Sequence, residues 1–231
     1  MNPKLLKQCV AEFIGTFALI FIGVGAIYHN AGLLAIALAH GLTIAVMVSA
    51  TGAISGGHLN PAVTFGLLVG GKINLKNSIA YWIAQLAGAS LAGFILLFLL
   101  TGQMDPEKGT SLARTIVANG TPDLAAKGID AMQAVLIEAI LTFFLVFVVY
   151  GSAVDSRAPK IGGLAIGLTV TLDILFGGPF TGGAMNPART FGPALASAHW
   201  NNQWIYWVGP MLGGALAGLV YGRFLIHEDK S

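Results

Sequence analysis

Two copies of Asn-Pro-Ala, set 126 residues apart, limit what this chain can fold into more than any other feature: Asn60-Pro61-Ala62 in SGGHLNPAVTFG and Asn186-Pro187-Ala188 in TGGAMNPARTFG. In each, a glycine pair leads in and a short apolar run leads out, with Arg189 as the lone charge. Both read as a loop that turns directly into a helix. The Asn side chain caps an otherwise unsatisfied backbone N–H, and proline supplies the fixed φ of a first helical residue. One copy would be an ordinary helix start. The same shift, however, lays Glu12-Phe13-Ile14-Gly15-Thr16 on Glu138-Ala139-Ile140-Leu141-Thr142, His40-Gly41-Leu42-Thr43 on Ile166-Gly167-Leu168-Thr169, and Thr64-Phe65-Gly66 on Thr190-Phe191-Gly192. With one residue removed, Tyr81-Trp82 falls on Tyr206-Trp207, and Gly88 and Gly93 fall on Gly213 and Gly218. The chain is two halves of one design, about 5–100 and about 131–225, joined by a connection over 101–130 within a single domain of 1–231.

Composition decides the solvent. With 55% hydrophobic residues, 10% charged residues and a mean hydropathy of +0.77 over 231 residues, there is too little polar surface to cover a soluble globule. A net charge of +2 gives no basic field for nucleic acid. The single Cys9 excludes an intramolecular disulfide and contributes to no metal cluster, and nothing in the sequence calls for a cofactor. Nucleophile, base and acid are nowhere grouped as catalysis requires, so no enzyme is expected.

Apolar stretches near the length that spans a hydrocarbon core of about 30 Å run over about Cys9–Ile27, Leu33–Ala53, Ser78–Leu100, Met132–Ala153, Ile161–Gly177 and Trp204–Phe224. The first is not a leader, because its Glu12 and Thr16 recur in the second half. Lys4, Lys7, Lys72, Lys76, Arg157, Lys160, Arg223 and Lys230 fall at the termini and alternate connections, so the positive-inside rule puts both ends in the cytoplasm. Lys108, Arg114 and Lys127 in the long connection run against that alternation but are interleaved with acidic residues. Three spans per half make the halves inverted repeats. The segments from Asn60 to Val69 and from Asn186 to Ala196 are each about half a membrane long at 1.5 Å per residue. The expected fold is an all-α membrane protein with six transmembrane helices and two half-membrane re-entrant helices whose Asn caps meet near the midplane. Irregular backbone at that depth, Gly56-Gly57-His58 and Gly182-Gly183-Ala184, is tolerated where its carbonyls line a wet cavity.

These motifs, over essentially the whole chain, resemble the aquaporins of the major intrinsic protein family. The resemblance implies a homotetramer in the lipid bilayer, each subunit with its own pore passing water or small neutral solutes. Two half-helix N-termini facing one lumen, with an Arg nearby, exclude protons and cations, a mechanism already described for aquaporins in general. Arg189 stands where the other half has Val63, which makes the lumen asymmetric. The family's four filter positions fall on His40, Ile174, Gly183 and Arg189. Strict water channels resemble Phe, His, Cys or Thr, and Arg there; the set here is similar to that of plant vacuolar-type members that also pass ammonia. A glycerol facilitator is the alternative, but Thr190, Ala194 and Tyr206-Trp207 match the water type. Without a cysteine at 183, mercury insensitivity is implied at that position. The family also implies that Glu12 and Glu138 brace the re-entrant loops by accepting from their N–H groups. Asp173 is expected at the outer vestibule or a neighbouring subunit. The short tails and the lack of a targeting extension suggest a prokaryotic cell membrane, and Asn119-Gly120-Thr121 fits a glycosylation acceptor only if the source is eukaryotic.

Overall fold

The computed structural model describes residues 2–28, 31–100, 128–159 and 161–226. His29-Asn30, most of the long connection with Asn119, and Lys160 and Lys230 therefore lie outside the described residues. Within them the chain is all helical: α1 Pro3–Tyr28, α2 Gly32–Ser55, α3 Pro61–Val69, α4 Leu75–Leu99, α5 Ala131–Val149, α6 Gly162–Gly177, α7 Pro187–Ser197 and α8 Ile205–Leu219. α5 and α8 each run on into a wider π turn, Tyr150–Val154 and Val220–Leu225.

Five of the six expected spans are long and apolar enough to cross a bilayer. The exception is α6, whose 16 residues reach only about 24 Å at 1.5 Å per residue. Gly177-Gly178-Pro179 ends it: the N–H groups of Phe180, Thr181 and Gly182 all turn back to the Gly177 carbonyl. The first span instead extends outward, beginning at Pro3 where the apolar stretch suggested Cys9.

Packing follows the repeat. α1 lies on α4 and α2 as α5 lies on α8 and α6, while α3 packs on α8 and α7 on α4, so each short helix is clasped by the other half's last span. Glycine makes these crossings close. A Cβ on Gly88 of α4 would strike the Phe13 carbonyl of α1, and one on its counterpart Gly213 of α8 the Ala139 carbonyl of α5. One on Gly93 would stand 2.6 Å from the Gly192 carbonyl of α7, and one on Gly218 would strike the Gly66 carbonyl of α3. In a bilayer, where lipid is as apolar as leucine, such backbone contact is what holds helices together. The outward faces of the long helices remain apolar and exposed, as at Leu42, Val46, Ile83, Phe98, Leu136 and Leu172, the pattern of a surface solvated by lipid. On the loop after α5, Arg157 forms a two-toothed ion pair with Asp155 at 2.6 and 2.9 Å, which holds that carboxyl well below the usual carboxylate range.

Candidate functional site

Each Asn-Pro-Ala segment folds as its local chemistry dictates. Asn60 and Asn186 have extended backbones, their side-chain oxygens accept from Ala62 N at 2.8 Å and Ala188 N at 3.0 Å, and proline opens each helix. The amide nitrogens then cross over. Asn60 Nδ2 donates to the Met185 carbonyl at 2.8 Å, and Asn186 Nδ2 donates to the Leu59 carbonyl at 3.0 Å. The two caps therefore meet, each tied to the residue preceding the other.

Leu59 and Met185 make this possible by adopting φ of 52° each, a conformation costly for a residue with a branched or long side chain. The cost is met because every backbone group is committed. Their N–H groups donate to Glu12 Oε2 at 2.6 Å and to Glu138 Oε2 at 2.7 Å, while their carbonyls receive the opposite asparagine. Glu12 Oε1 also accepts from Ser55 Oγ and His58 N, and Glu138 Oε1 from Thr181 Oγ1 and Ala184 N. Both glutamates are fully buried. Tyr81 and Tyr206 complete the symmetry, donating to the Ser55 and Thr181 carbonyls. Only the first half adds Gln85, whose Nε2 reaches Glu12 Oε2 and Thr64; its counterpart in the second half is Pro210.

Around the paired asparagines runs a narrow cavity in which the space open to the centres of water-sized molecules is about 30 Å³. That space admits water-sized molecules. His40, Ile174, Gly183 and Arg189 all line it, as do Gly57, His58 and Ala184. Gly56 and Gly182, expected to present carbonyls there, are not among the residues that border the cavity. Gly56 ends α2 in a left-handed turn with its N–H on the Gly52 carbonyl, and Gly182 is likewise folded back onto Gly177. Asp173 is also absent from the lining and is 6% exposed within this single subunit, which leaves little of it for either a vestibule or a neighbour.

Sequence reasoning missed the apolar lining: Leu19, Ile44, Val48, Val63, Leu145, Val149, Ile166 and Val170. The signal was present in the 126-residue shift, which pairs Leu19 with Leu145, Ile44 with Val170, Val48 with Ile174, His40 with Ile166 and Val63 with Arg189. Applied to the four filter positions, it returns Ile166, Val48, Gly57 and Val63, so the counterparts of the imidazole and the guanidinium are aliphatic side chains. His58 borders that cavity and also a larger polar pocket of about 380 Å³ with Lys72, Asn74 and Tyr81. Its Nδ1 lies 3.0 Å from Thr64 Oγ1 and its ring meets Tyr81 edge-on. Among the described residues no group of His, Cys, Asp and Glu could hold a metal ion.

Comparison with known proteins agrees with this architecture. The family model described as "Major intrinsic protein" matches residues 1–221. Aquaporin TIP2-3 of Zea mays is 47% identical, over 98% of this chain and 90% of its own length. Aquaporin TIP2-1 of Arabidopsis thaliana is 44% identical, over 97% and 90%. Among solved structures, the aquaglyceroporin from Plasmodium falciparum superposes with a TM-score of 0.82 at 28% identity, covering 96% of this chain and 97% of that one. A cavity threaded between two opposed half-helices, in a chain matched from end to end by water-channel relatives, has one reading: the protein belongs to the major intrinsic protein family and is a membrane channel.

Proposed function

We propose that this channel passes water and ammonia in single file, with the paired asparagines at its centre and His40, Ile174, Gly183 and Arg189 as its filter. The observation that carries the reading is the crossed pair of asparagine hydrogen bonds. Each Nδ2 spends one hydrogen on the opposite carbonyl and keeps a second for a passing water, since an amide nitrogen has two. A water that accepts from both asparagines must donate outward in both directions, so it cannot relay a proton along the file. Two half-helix N-termini, each equivalent to about +0.5 charge, repel cations at the same place, and Arg189 adds a full charge at the filter.

At the filter, an imidazole, an isoleucine and a glycine leave a wider opening with fewer fixed donors than the strict water pattern. That lowers the cost of entry for a neutral solute less strongly hydrated than an ion. Thr190, Ala194 and Tyr206-Trp207 support the water type over a glycerol facilitator. An even number of crossings, with α6 as the short sixth, returns the chain to its starting side, and the basic residues of the described connections support a cytoplasmic location for both ends. The apolar outer faces of the helices suit a homotetramer in the bilayer.

Stopped-flow light scattering of proteoliposomes with water, ammonia, glycerol and urea tests the reading. The wild type is expected to pass water and ammonia, and His40→Phe to cut ammonia flux at least fivefold, more than it cuts water flux. Equal ammonia flux in the two proteins removes His40 from the filter; glycerol flux matching that of ammonia makes the channel a polyol facilitator.

A further inference from the structure

We infer that Gly23 of α1 is a specificity-determining position: it forms a recess that holds the His40 imidazole back from the lumen and so sets the aperture at that wall. The inference rests on His40 lining the pore as proposed above. A Cβ built on Gly23 would strike His40 Nε2 and would stand 2.5 Å from Cδ2 and 2.7 Å from Cε1. The ring is thus pressed flat against bare backbone, in the volume that any side chain at 23 would take. The repeat gives the control. The counterpart of Gly23 is Val149, which lines the cavity, and the counterpart of His40 is Ile166, which lines it too. In the second half two side chains share that wall; in the first, one imidazole does the work of both.

The ring has few ways to move. Nδ1 is 2.8 Å from the Ile36 carbonyl, one turn back on α2, and donates to it. With Nδ1 donating, Nε2 is the other ring nitrogen, buried with no hydrogen-bond partner among the described residues, at a residue only 2% exposed. A methyl at 23 would need ordinary carbon contact of about 3.5–4.0 Å, so the ring must retreat by about 1 Å. With α1 behind it, the space in front is the cavity it lines. In a file one molecule wide, 1 Å from one wall is a large change of bore.

The test is water permeability per channel in proteoliposomes for wild type, Gly23→Ala, His40→Ala and the double variant Gly23→Ala with His40→Ala. Gly23→Ala is expected to lower water flux at least threefold and ammonia flux at least as much. The double variant should recover to within twofold of His40→Ala alone, because with no imidazole there is nothing to displace. Wild-type water flux from Gly23→Ala, or an equal loss in the single and double variants, overturns the inference. If Gly23→Ala does not accumulate, the double variant still must fold and conduct, and its failure also overturns it. Reading the test on water separates it from the solute range: no ammonia flux in any variant sinks the ammonia proposal and leaves the recess standing.

Discussion

Glu12→Ala and Glu138→Ala are each expected to lower the melting temperature of the channel sharply, with Glu12→Ala the more damaging. Each carboxylate is fully buried and holds two consecutive backbone N–H groups, His58 and Leu59 in one half, Ala184 and Met185 in the other. Those donors are fixed by the fold and cannot turn elsewhere. At about 1–3 kcal/mol for each buried donor left unsatisfied, the backbone pair alone costs roughly 2–6 kcal/mol. The residue between glutamate and asparagine would also lose its anchor: Leu59 and Met185 hold φ of 52° because both ends of the residue are tied down. Ser55 and Thr181 hydroxyls can rotate to other acceptors, so they add less. Glu12 additionally receives Gln85 Nε2 at 2.8 Å, whereas Pro210 occupies that place in the second half. Glutamine at either position does not rescue fully, because its amide keeps one acceptor and turns an N–H toward the backbone donors. Thermal unfolding in detergent checks the order: wild type above Glu138→Gln and Glu12→Gln, and both above the alanine variants. Alanine variants melting with the wild type would mean the loops are held from elsewhere.

How much of this could be read from the chain follows from which interactions are local. The caps were legible because Asn-Pro acts within three residues, and the spans because 20 apolar residues need no tertiary partner to be recognised. α6 has the bounds the sequence suggested to within one residue; what hydropathy does not register is why it stops there, with the Gly177 carbonyl gathering three N–H groups. Residues around the cavity were nameable where a motif fixed the count back from Asn60 or Asn186, as for His40 and Ile174. The apolar lining was not, because Leu19 or Val170 looks like any other aliphatic residue in a span until the helices are packed. Gly56 is the converse case: adjacent to lumen residues in sequence, it closes α2 in a left-handed turn and is not among the residues that border the cavity. Gly23 was invisible for a further reason, since what matters there is the volume of a neighbour 17 positions on.

Arg189→Val is expected to raise proton conductance at least tenfold while water still passes. The substitution copies Val63, the counterpart in the first half, and so makes both ends of the cavity alike at this position. Arg189 is 3% exposed and borders the cavity. At an effective dielectric constant of about 20, a unit charge roughly 10 Å from a hydronium opposes it by about 1.7 kcal/mol, more than the 1.4 kcal/mol that makes a factor of ten. The half-helix N-termini survive the change, with about half a charge each, and so does the orientation imposed on the central water by Asn60 and Asn186. The leak is therefore expected to stay well short of an open proton wire. Proton flux under an imposed pH gradient, measured on the proteoliposomes used for water, separates the two contributions. No rise in Arg189→Val with intact water flux would assign exclusion to the opposed helix ends alone. A rise of several orders of magnitude would mean that the asparagine pair does not break the file, and the crossed hydrogen bonds would then be only a structural clasp.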